Sequence, residues 1–560
     1  MDKSYTKFAN KIGLSVDNNL LRSDSQVVLN FPYKDCVLKG GQSKDEERSK
    51  EIFFNEILAH DEIDVLFVPK VLHKFELIGS NSSLTQDTRI ADSTRLMKDS
   101  FRKNMPNLLI KGNNLIALHS LKNNPAVYGK VKLIYIDPPY NTGKDSFNYN
   151  DKFTHSAWLS FMKNRLDIAK EFLRDDGVIF IQCDDNEQAY LKVLCDEIFG
   201  RENFVACLVW EKKRVRQNDA RWYSTNHEYL LNYAKNKNNF KPNPTQRTDD
   251  MLKAYKNPDN DIRGVWVAIP LSAKSGADSM KYTITFPNGV TYETKYGYPR
   301  YSKEKLMQMY EDNRLYFGKN GTSQPSAKKF LSEVRGGVVN NTLLSMDEVG
   351  STQQSANEIK ALFADSNTKL FATPKPEALL KRIIEISTQE GDLVMDFFAG
   401  SGTTLAVAHK MNRKWVGVEQ MDYIETITKV RLEKVIAGEQ GGVSKALGWQ
   451  GGGEFVYCEL MPLNAMYKEQ ILKAKNQAEL ESIYKDLQTK AFLDYRVDLA
   501  EVLKDKDFKD LDLESKKSFL IQVLDSNMDY VPLGDIADST YNISSEIIAL
   551  NRAFYGKENE

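Results

Sequence analysis

An acid, two prolines and an aromatic residue follow one another in the segment Asp137-Pro138-Pro139-Tyr140. The Asp137 carboxylate can accept a hydrogen bond from an amino group, and the Pro138 carbonyl can accept a second one. The Tyr140 side chain offers a flat face to a planar ring. The combination predicts a site for the exocyclic amino group of an aromatic base, although a strand-ending turn with a buried tyrosine would use the same residues.

The element that precedes this segment determines where it lies. Residues 131–136 form an apolar and β-branched run, which is typical of a parallel strand buried on both faces. Pro138 and Pro139 cannot continue the strand, because neither has an N–H and both restrict φ. We therefore expect Asp137 at the carboxyl end of a strand, where open α/β sheets bind their ligands.

A second pattern predicts a nucleotide site. A strand predicted over residues 393–398 leads to Gly400-Ser401-Gly402 and a helix, and Glu419 ends the next strand, 19 residues after Gly400. The glycines allow a ligand to approach the backbone beside a helix N-terminus, and an acid at this spacing can hold ribose hydroxyls. Leu405 occupies the place of the third glycine of the dinucleotide fingerprint, which argues against NAD and for an adenosine ligand without a pyrophosphate.

The elements that must position these residues predict an α/β fold with a doubly wound, mostly parallel sheet. Residues 154–173 carry apolar side chains at helical spacing, residues 178–181 predict the next buried strand, and residues 229–233 predict an antiparallel strand. If the strand order reverses between the two sites, a planar amino-bearing ring would face an adenosyl cofactor. That arrangement suggests group transfer to the amine.

Outside this core the patterns are less regular. Residues 49–58 predict a helix in a polar N-terminal region, and the residues after 459 predict an acidic, mostly helical tail. Between 235 and 369, turn residues are frequent, and aromatic and basic side chains alternate. This suits a separate insertion that contacts nucleic acid, although a generic α+β domain would have the same composition.

Composition limits the possible classes of protein. The 560 residues are 41% hydrophobic and 27% charged, which predicts packed cores in three or four domains. The N-terminus does not resemble a signal peptide, and no apolar run is long enough to span a membrane. The five cysteines are scattered, so we expect a cytoplasmic protein with reduced thiols and no metal site.

The net charge of −1 hides an uneven distribution. Residues 201–256 contain 12 Lys and Arg against 6 Asp and Glu, whereas residues 459–560 contain 13 against 20. A polyanion would bind the first segment and avoid the second, although a solvated basic face would look the same. The candidate DNA-binding residues in the first segment are Lys212, Lys213, Arg214, Arg216 and Arg221.

The motifs and their order resemble those of β-class S-adenosylmethionine-dependent DNA amino-methyltransferases. Asp137-Pro-Pro-Tyr140 is similar to their catalytic motif and Phe398-Ala-Gly-Ser-Gly402 to their cofactor loop, with the variable insertion between the two. Further similarities are Gly177-Val-Ile-Phe-Ile181 with Asp184-Asp185, Asn226-His-Glu-Tyr229 and Lys375-Pro-Glu377. The longer motif Asp137-Pro-Pro-Tyr-Asn-Thr-Gly143, with Trp158-Leu-Ser-Phe-Met162, is similar to the Mod subunits of type III restriction–modification systems.

The resemblance implies a role for each motif. Asp137 and the Pro138 carbonyl would hold the adenine amino group, with Pro139 in the same catalytic motif, and Tyr140 would stack on the extruded base. Glu419 would bind the cofactor ribose, Lys375 would lie beside the methionine end, and Asn113 stands where the family often has an aspartate. The full set implied for S-adenosyl-L-methionine is Asn113, Asp137, Lys375, Asp396, Phe398, Ala399, Gly400, Ser401, Gly402, Thr403 and Glu419.

The resemblance also implies a Rossmann-like methyltransferase fold with permuted motif order, an inserted target-recognition domain and a helical C-terminal domain. The predicted boundaries are 1–105 for an accessory or interface region, 106–234 for the catalytic half, 235–369 for target recognition, 370–440 for the cofactor half, and 441–560 for an acidic domain that contacts a second copy or a partner.

The expected function is site-specific methylation of adenine N6 in double-stranded DNA. The expected partners are a second copy of the chain and a separate helicase–nuclease restriction subunit, because this sequence has no Gly-Lys-Ser/Thr loop. Two alternatives remain open: a methyltransferase for cytosine N4, RNA or protein, and a chain that serves mainly as the DNA-reading specificity subunit of a nuclease or helicase.

Overall fold

A ten-stranded sheet organises most of the chain in the computed structural model. Its strands are β1 (Leu72–Gly79), β2 (Asn107–Lys111), β3 (Val131–Ile136), β4 (Leu173–Cys183), β5 (Phe204–Glu211), β6 (His227–Ala234), β7 (Leu343–Leu344), β8 (Leu393–Asp396), β9 (Lys414–Glu419) and β10 (Glu454–Leu460). The structure describes residues 15–16, 19–20, 28–39, 52–79, 86–103, 105–142, 153–216, 218, 220–294, 297–334, 336–364, 370–463, 465–490, 511–525 and 530–557.

The order of the strands across the sheet is β7-β5-β6-β4-β3-β8-β9-β2-β10-β1. Six of the nine neighbouring pairs are parallel, and the antiparallel pairs are β4 with β6, β6 with β5, and β10 with β1. The chain proceeds from β3 towards one edge of the sheet and from β8 towards the other. The strand order therefore reverses between β3 and β8, as in the predicted doubly wound fold.

Helices cover both faces of the sheet. One face packs against α1 (Asn114–Leu121), α2 (His155–Phe172) and α3 (Gln188–Phe199), and the other against α4 (Glu377–Ser387) and α5 (Thr403–Lys410). Alternate residues of β3 serve the two cores: Ile134 and Ile136 pack on the first face, and Leu133 and Tyr135 on the second. Burial on both faces explains why β3 is apolar except at Lys132 and the Tyr135 hydroxyl.

Further elements lie outside this central layer. The first unit also contains a strand pair, Cys36–Lys39 with Ile52–Asn55. Its other helices include His60–Phe67, Gln86–Lys103, Met346–Val349, Thr352–Leu362, Lys429–Ile436, Ser444–Leu447, Ala465–Lys473, Gln477–Lys490, Leu513–Asp525 and α6 (Ser545–Phe554). The helix predicted over residues 49–58 is therefore wrong, because Ile52–Asn55 forms a strand that pairs with Cys36–Lys39.

A second compact unit spans Pro242–Asn340. Trp266–Ile269, Ser326–Phe330 and Leu315–Tyr316 form a three-stranded antiparallel sheet beside the helix Lys303–Glu311, and Phe286, Leu306 and Phe317 belong to its core. The smaller elements are the helix Asp249–Lys253 and the strands Ser272–Ala273, Thr283–Thr285, Thr291–Glu293 and Tyr298–Pro299. This unit is narrower than the insertion predicted over 235–369, because Leu343–Leu344 already joins the large sheet as β7.

The other predicted boundaries also differ from the extent of the sheet. β1 lies within the region predicted as accessory, and β10 within the region predicted as a separate C-terminal domain. The catalytic and cofactor halves therefore share one sheet with residues from both ends of the sequence. Across the described residues, we find no helix with the length and apolarity that a membrane crossing requires.

Candidate active site

The two predicted strand-end segments leave the same edge of the sheet. β3 and β8 are parallel neighbours, with Leu133 paired to Val394 and Ile134 to Met395. Asp137 directly follows β3, and Gly400, in the loop that follows β8 (the glycine loop), comes four residues after the end of that strand. The prediction that the two segments are neighbours at the reversal point is confirmed, although 263 residues separate Asp137 from Gly400 in the sequence.

Asp137 lies at the centre of a cluster of charged and polar side chains. The Lys375 ammonium lies 2.6 Å from Asp137 Oδ2, and the Tyr140 hydroxyl donates to Asp137 Oδ1 over 2.6 Å. Each carboxylate oxygen therefore has one partner, and each retains a second lone pair. The Trp158 indole N–H donates to the Pro139 carbonyl at 2.8 Å, which fixes the proline turn against α2.

A second carboxylate, Glu228, lies behind the first. Tyr140 also lies 3.0 Å from Glu228 Oε2, so its hydroxyl is held between two acids. The Gln182 amide donates to the same oxygen at 2.7 Å, and the Lys212 ammonium lies 3.0 Å from the other one. Glu228 is buried, and its carboxylate is 3.8 Å from Lys375. The orientation of the Tyr140 ring is therefore determined by hydrogen bonds as well as by packing.

The charges in this cluster shift one another's pKa values. Burial raises the pKa of Asp137; the Lys375 ammonium opposes this shift and the Glu228 carboxylate adds to it. Burial also acts to raise the pKa of Glu228, but Lys375 and Lys212 outweigh it, so that pKa lies below its usual value. Although burial favours neutral Lys375, Asp137 and Glu228 keep the pKa of Lys375 above its ordinary value. At neutral pH, Lys375 and Glu228 are thus held in their charged forms.

The loop after β8 has the backbone geometry that its glycines predict. Gly400 and Gly402 have φ values of +53° and +77°, a region that other residues rarely adopt. A Cβ on Gly402 would lie 2.9 Å from Thr428 Cγ2, so a side chain is excluded there. Gly402 is the N-terminal capping residue of α5, and the residues that follow it begin the helix.

Two buried acids stabilise this loop. Glu419 Oε2 accepts from the Gly400 N–H at 2.8 Å, and its Oε1 accepts from the N–H groups of Gln420 and Met421. Asp396 Oδ1 accepts from the Phe398 N–H at 3.0 Å, and burial raises the pKa of Asp396 to about 7. Glu419, predicted to bind a ribose, is fully buried and already serves as the anchor of the loop.

The predicted cofactor residue Asn113 is the N-cap of α1. Its side-chain oxygen accepts from the Leu115 and Ile116 N–H groups, and its own N–H donates to the Tyr530 hydroxyl at 3.0 Å. The neighbouring Asn114 donates to the Phe397 carbonyl at 2.8 Å. The α1 N-terminus is thereby attached to the strand end that leads into the glycine loop.

The segment Lys375-Pro376-Glu377 connects the two halves of the site. Lys375 binds Asp137, whereas Glu377, at the start of α4, is buried and receives hydrogen bonds from Arg431 and Lys410 at 2.8 and 2.7 Å. Arg431 donates in turn to Thr403 Oγ1 at 2.7 Å. Lys375, predicted to lie among the cofactor residues, is thus paired with Asp137. Glu377, two residues later, supports the glycine loop through Arg431.

The predicted DNA-binding residues fall into two groups. Lys212 is paired with Glu228, and Arg214 with Glu211 and Asp347 at 2.8 and 2.6 Å. Within the described part of the chain, Lys213, Arg216 and Arg221 form no ion pair and remain accessible to a polyanion. The geometry thus assigns two of the five candidates to structural ion pairs.

Sequence reasoning missed Glu228 and Gln182 as members of the site. Glu228 belongs to the noted segment Asn226-His-Glu-Tyr229, and Gln182 follows Gly177-Val-Ile-Phe-Ile181. Gln182 lies near the end of β4, which pairs with β3, and Glu228 lies near the start of β6, which pairs with β4. The order of the strands was therefore the missing signal. Gly143, the last residue of the extended catalytic motif, lies outside the described residues. Among those that are described, no group of His, Cys, Asp or Glu is arranged to hold a metal.

The fold and the paired loops define a Rossmann-like methyltransferase in which the catalytic motif precedes the cofactor motif. Residues 131–430 match the sequence family described as DNA methylase. The "Probable type III restriction-modification enzyme HindVI Mod subunit" of Haemophilus influenzae is 37% identical over the whole chain and 88% of its own length. The chain belongs to the DNA methylases and, among them, to the Mod subunits of type III restriction–modification enzymes.

Other relatives match a smaller part of the chain. The StyLTI Mod subunit of Salmonella typhimurium is 37% identical over 60% of this chain and 55% of its own length. The EcoPI Mod subunit of Escherichia phage P1 is 32% identical over 60% of this chain and 59% of its own length. Among solved structures, the cytosine-N4-specific PvuII DNA methyltransferase is 13% identical, with a TM-score of 0.33, over 61% of this chain and 90% of its own.

Proposed function

We propose that this DNA methyltransferase transfers the methyl group of S-adenosyl-L-methionine to N6 of adenine at a specific sequence in double-stranded DNA. The observation that carries the proposal is the Asp137 carboxylate. It lies at the point where the strand order reverses, one strand away from the glycine loop, and it is held by Lys375 and Tyr140. An acid at that position, followed by a proline carbonyl, offers the two acceptors that an amino group requires.

The residues of the cluster have separate tasks in this mechanism. Asp137 and the Pro138 carbonyl accept the two amino hydrogens and orient the nitrogen lone pair towards the methyl donor. Tyr140 supplies a ring whose plane is held by the hydrogen bonds of its hydroxyl to Asp137 and Glu228. The Lys375 ammonium opposes the rise in the pKa of Asp137 that burial causes, and so favours the ionised carboxylate as an acceptor. Catalysis is then largely a matter of alignment.

The glycine loop is suited to S-adenosyl-L-methionine. When bound, this cofactor supplies an electrophilic methyl group on a sulfonium. Gly400 and Gly402 leave the loop backbone free of Cβ atoms, the α5 N-terminus follows, and Asn113 caps the adjoining helix. Phe398 is a buried aromatic residue of the same loop. Because Glu419 already holds three backbone N–H groups, it would orient the loop as well as bind a ribose.

DNA recognition requires further surfaces. The unpaired cations Lys213, Arg216 and Arg221 would contact phosphates, and the compact unit Pro242–Asn340 would select the sequence. The curated relatives are named as Mod subunits of restriction–modification enzymes. We therefore assign a separate restriction subunit and a second copy of the chain as the protein partners of this modification subunit.

A test must identify the methylated atom as well as the activity. The protein is incubated with methyl-labelled S-adenosyl-L-methionine and bacterial DNA, and the nucleosides are separated by mass. We expect N6-methyladenine in the wild type and no transfer by Asp137→Ala, which should retain DNA binding. N4-methylcytosine would replace the adenine assignment with the cytosine alternative, and full transfer by Asp137→Ala would contradict the role of the carboxylate.

A further inference from the structure

The connection between β5 and β6 carries two highly exposed aromatic side chains. Trp222 is 79% and Tyr223 is 93% accessible to solvent, although such rings gain most from burial. Single exposed apolar residues are ordinary on protein surfaces. Two consecutive rings on one connection are different, because together they form a surface on which planar groups can stack.

Cationic side chains lie on the same connection as these rings. The Arg221 guanidinium lies 5.2 Å from the Trp222 ring centroid, and Lys213 and Arg216 lie on the same connection. None of these three cations is paired with an acid in the part of the chain that the structure describes. Aromatic rings interleaved with unpaired cations are the chemistry that binds unstacked nucleic-acid bases beside a phosphate backbone.

The connection begins and ends at the catalytic cluster. The Lys212 and Lys213 N–H groups both donate to the Asn226 carbonyl, at 2.9 and 3.4 Å, which closes the base of the connection. Lys212 and Glu228 form an ion pair there, and Glu228 accepts from the Tyr140 hydroxyl. The exposed rings are therefore carried by the same pair of strands that holds the aromatic residue of the catalytic motif.

We propose that Trp222 and Tyr223 stack on the bases that become exposed when the target adenine leaves the duplex, and so hold the DNA open for methyl transfer. This inference rests on the proposed function. Extrusion of a base costs a few kcal/mol, and each base stacked on an aromatic side chain returns about 1–3 kcal/mol. Arg221 and Arg216 contact the phosphates beside the opened base pair, so the occupant of this surface is DNA with one base removed from the stack.

The test compares two duplexes that differ only opposite the target adenine. One carries the matched thymine, and the other carries an abasic site, so that the adenine is already unpaired. With the matched duplex, we expect kcat/KM of the double variant Trp222→Ala/Tyr223→Ala to fall about 10- to 100-fold, as loss of one or two stacking contacts predicts. With the abasic duplex, we expect kcat/KM of the double variant to fall by about threefold or less. The target adenine is already unpaired there, so little of the cost of opening the duplex remains.

The matched control is Val215→Ala, which shortens an equally exposed, non-aromatic side chain of the same connection. This variant should have the wild-type kcat/KM with both duplexes. Fluorescence of 2-aminopurine at the target position provides a second measurement, and we expect the double variant to reduce the signal of the extruded base on the matched duplex. Because both rings are exposed, the variants should keep the wild-type Tm and affinity for S-adenosyl-L-methionine.

The outcomes separate this inference from the proposed function. If the wild-type protein methylates no adenine, the proposed function fails, and the stacking role fails with it. If the wild type is active and the double variant loses equal activity on both duplexes, the rings form a general DNA contact and the role in opening is wrong. If the double variant retains full activity on the matched duplex, the rings do not contact the opened DNA at all.

Discussion

At the scale of single residues, the site depends on the balance of charge around Asp137. Burial works against the ionised carboxylate, and Glu228 adds a like charge, whereas Lys375 supplies the compensating one. A carboxylate with a raised pKa is ionised above that pKa and becomes protonated as the pH falls through it. Because the proposed mechanism uses the ionised form, activity should decline on the acid side at a higher pH than for an ordinary aspartate.

The two neighbours of Asp137 predict opposite changes in this acid decline. Lys375→Met removes the compensating charge, so the pKa of Asp137 rises and the decline in kcat/KM should move to higher pH by about one unit or more. Glu228→Gln removes the like charge, so the decline should move to lower pH. The measurement is kcat/KM against pH at saturating cofactor. Lys381→Met, on the same helix as Glu377 and paired with Glu385, is the control and should leave the profile unchanged. Shifts of the two variants in the same direction would contradict the electrostatic assignment.

At the scale of elements, the proposed cofactor site depends on the conformation of the short glycine loop. Gly402 must adopt a left-handed conformation at the start of α5, and Thr428 occupies the space beside it. The Thr428 hydroxyl donates to the Gly400 carbonyl at 2.6 Å, so the same residue both excludes a side chain and supports the loop. Conformation and contact therefore act at one position and can be separated by substitution.

Gly402→Ala should lower the Tm and weaken binding of S-adenosyl-L-methionine by about tenfold or more, since the left-handed conformation alone costs about 1–2 kcal/mol. Adding Thr428→Ser removes the methyl group at 2.9 Å but keeps the hydroxyl, so the double variant should recover part of the affinity. Calorimetric titration with the cofactor measures both. Gly391→Ala, at a φ of +80° with no atom within 4 Å, should lower the Tm and leave cofactor affinity unchanged. No gain in affinity from Thr428→Ser would exclude the contact as a cause.

Single helices and strands were predictable where the spacing of apolar residues in a short segment shows which side chains are buried. The residues at helical spacing over 154–173 form α2, which begins and ends within one residue of that range, and the run at 131–136 is β3. Periodicity reports which residues are buried, but not which strands are neighbours. The ion pair between Lys375 and Asp137 spans 238 residues and the hydrogen bond between Tyr140 and Glu228 spans 88, so neither was visible in the sequence pattern. The adjacency of the two loops was predictable on the condition that the strand order reverses between them, as it does in a doubly wound sheet.

At the scale of the whole molecule, the sheet is completed by residues far from its centre. β1, from the N-terminal part, is the last strand at one side of the sheet. α6, from the C-terminal part, forms hydrogen bonds with the edge of β1 that no other strand pairs with. Residues 441–560 were expected to form an acidic C-terminal domain, and their overall charge does not reveal the few buried contacts that α6 makes with β1. Asn551, Phe554 and Tyr555 are buried, and the Tyr555 hydroxyl donates to the Lys70 carbonyl at 2.6 Å.

Asn551 allows a direct test of the contact between α6 and β1. Its side chain accepts from the Leu72 N–H and donates to the Leu72 carbonyl, both at 2.8 Å, and thus takes the place of a further strand beside β1. Asn551→Ala leaves both backbone groups without a partner, so we expect the free energy of unfolding to fall by about 2–4 kcal/mol in urea titrations. Arg552→Ala, at the exposed neighbouring position, should change it by less than about 0.5 kcal/mol. Equal free energies of unfolding for the two variants would show that the contact between α6 and β1 does not stabilise the large sheet. The expected difference would show that α6 and the sheet unfold together, although β1 and α6 are far apart in the sequence.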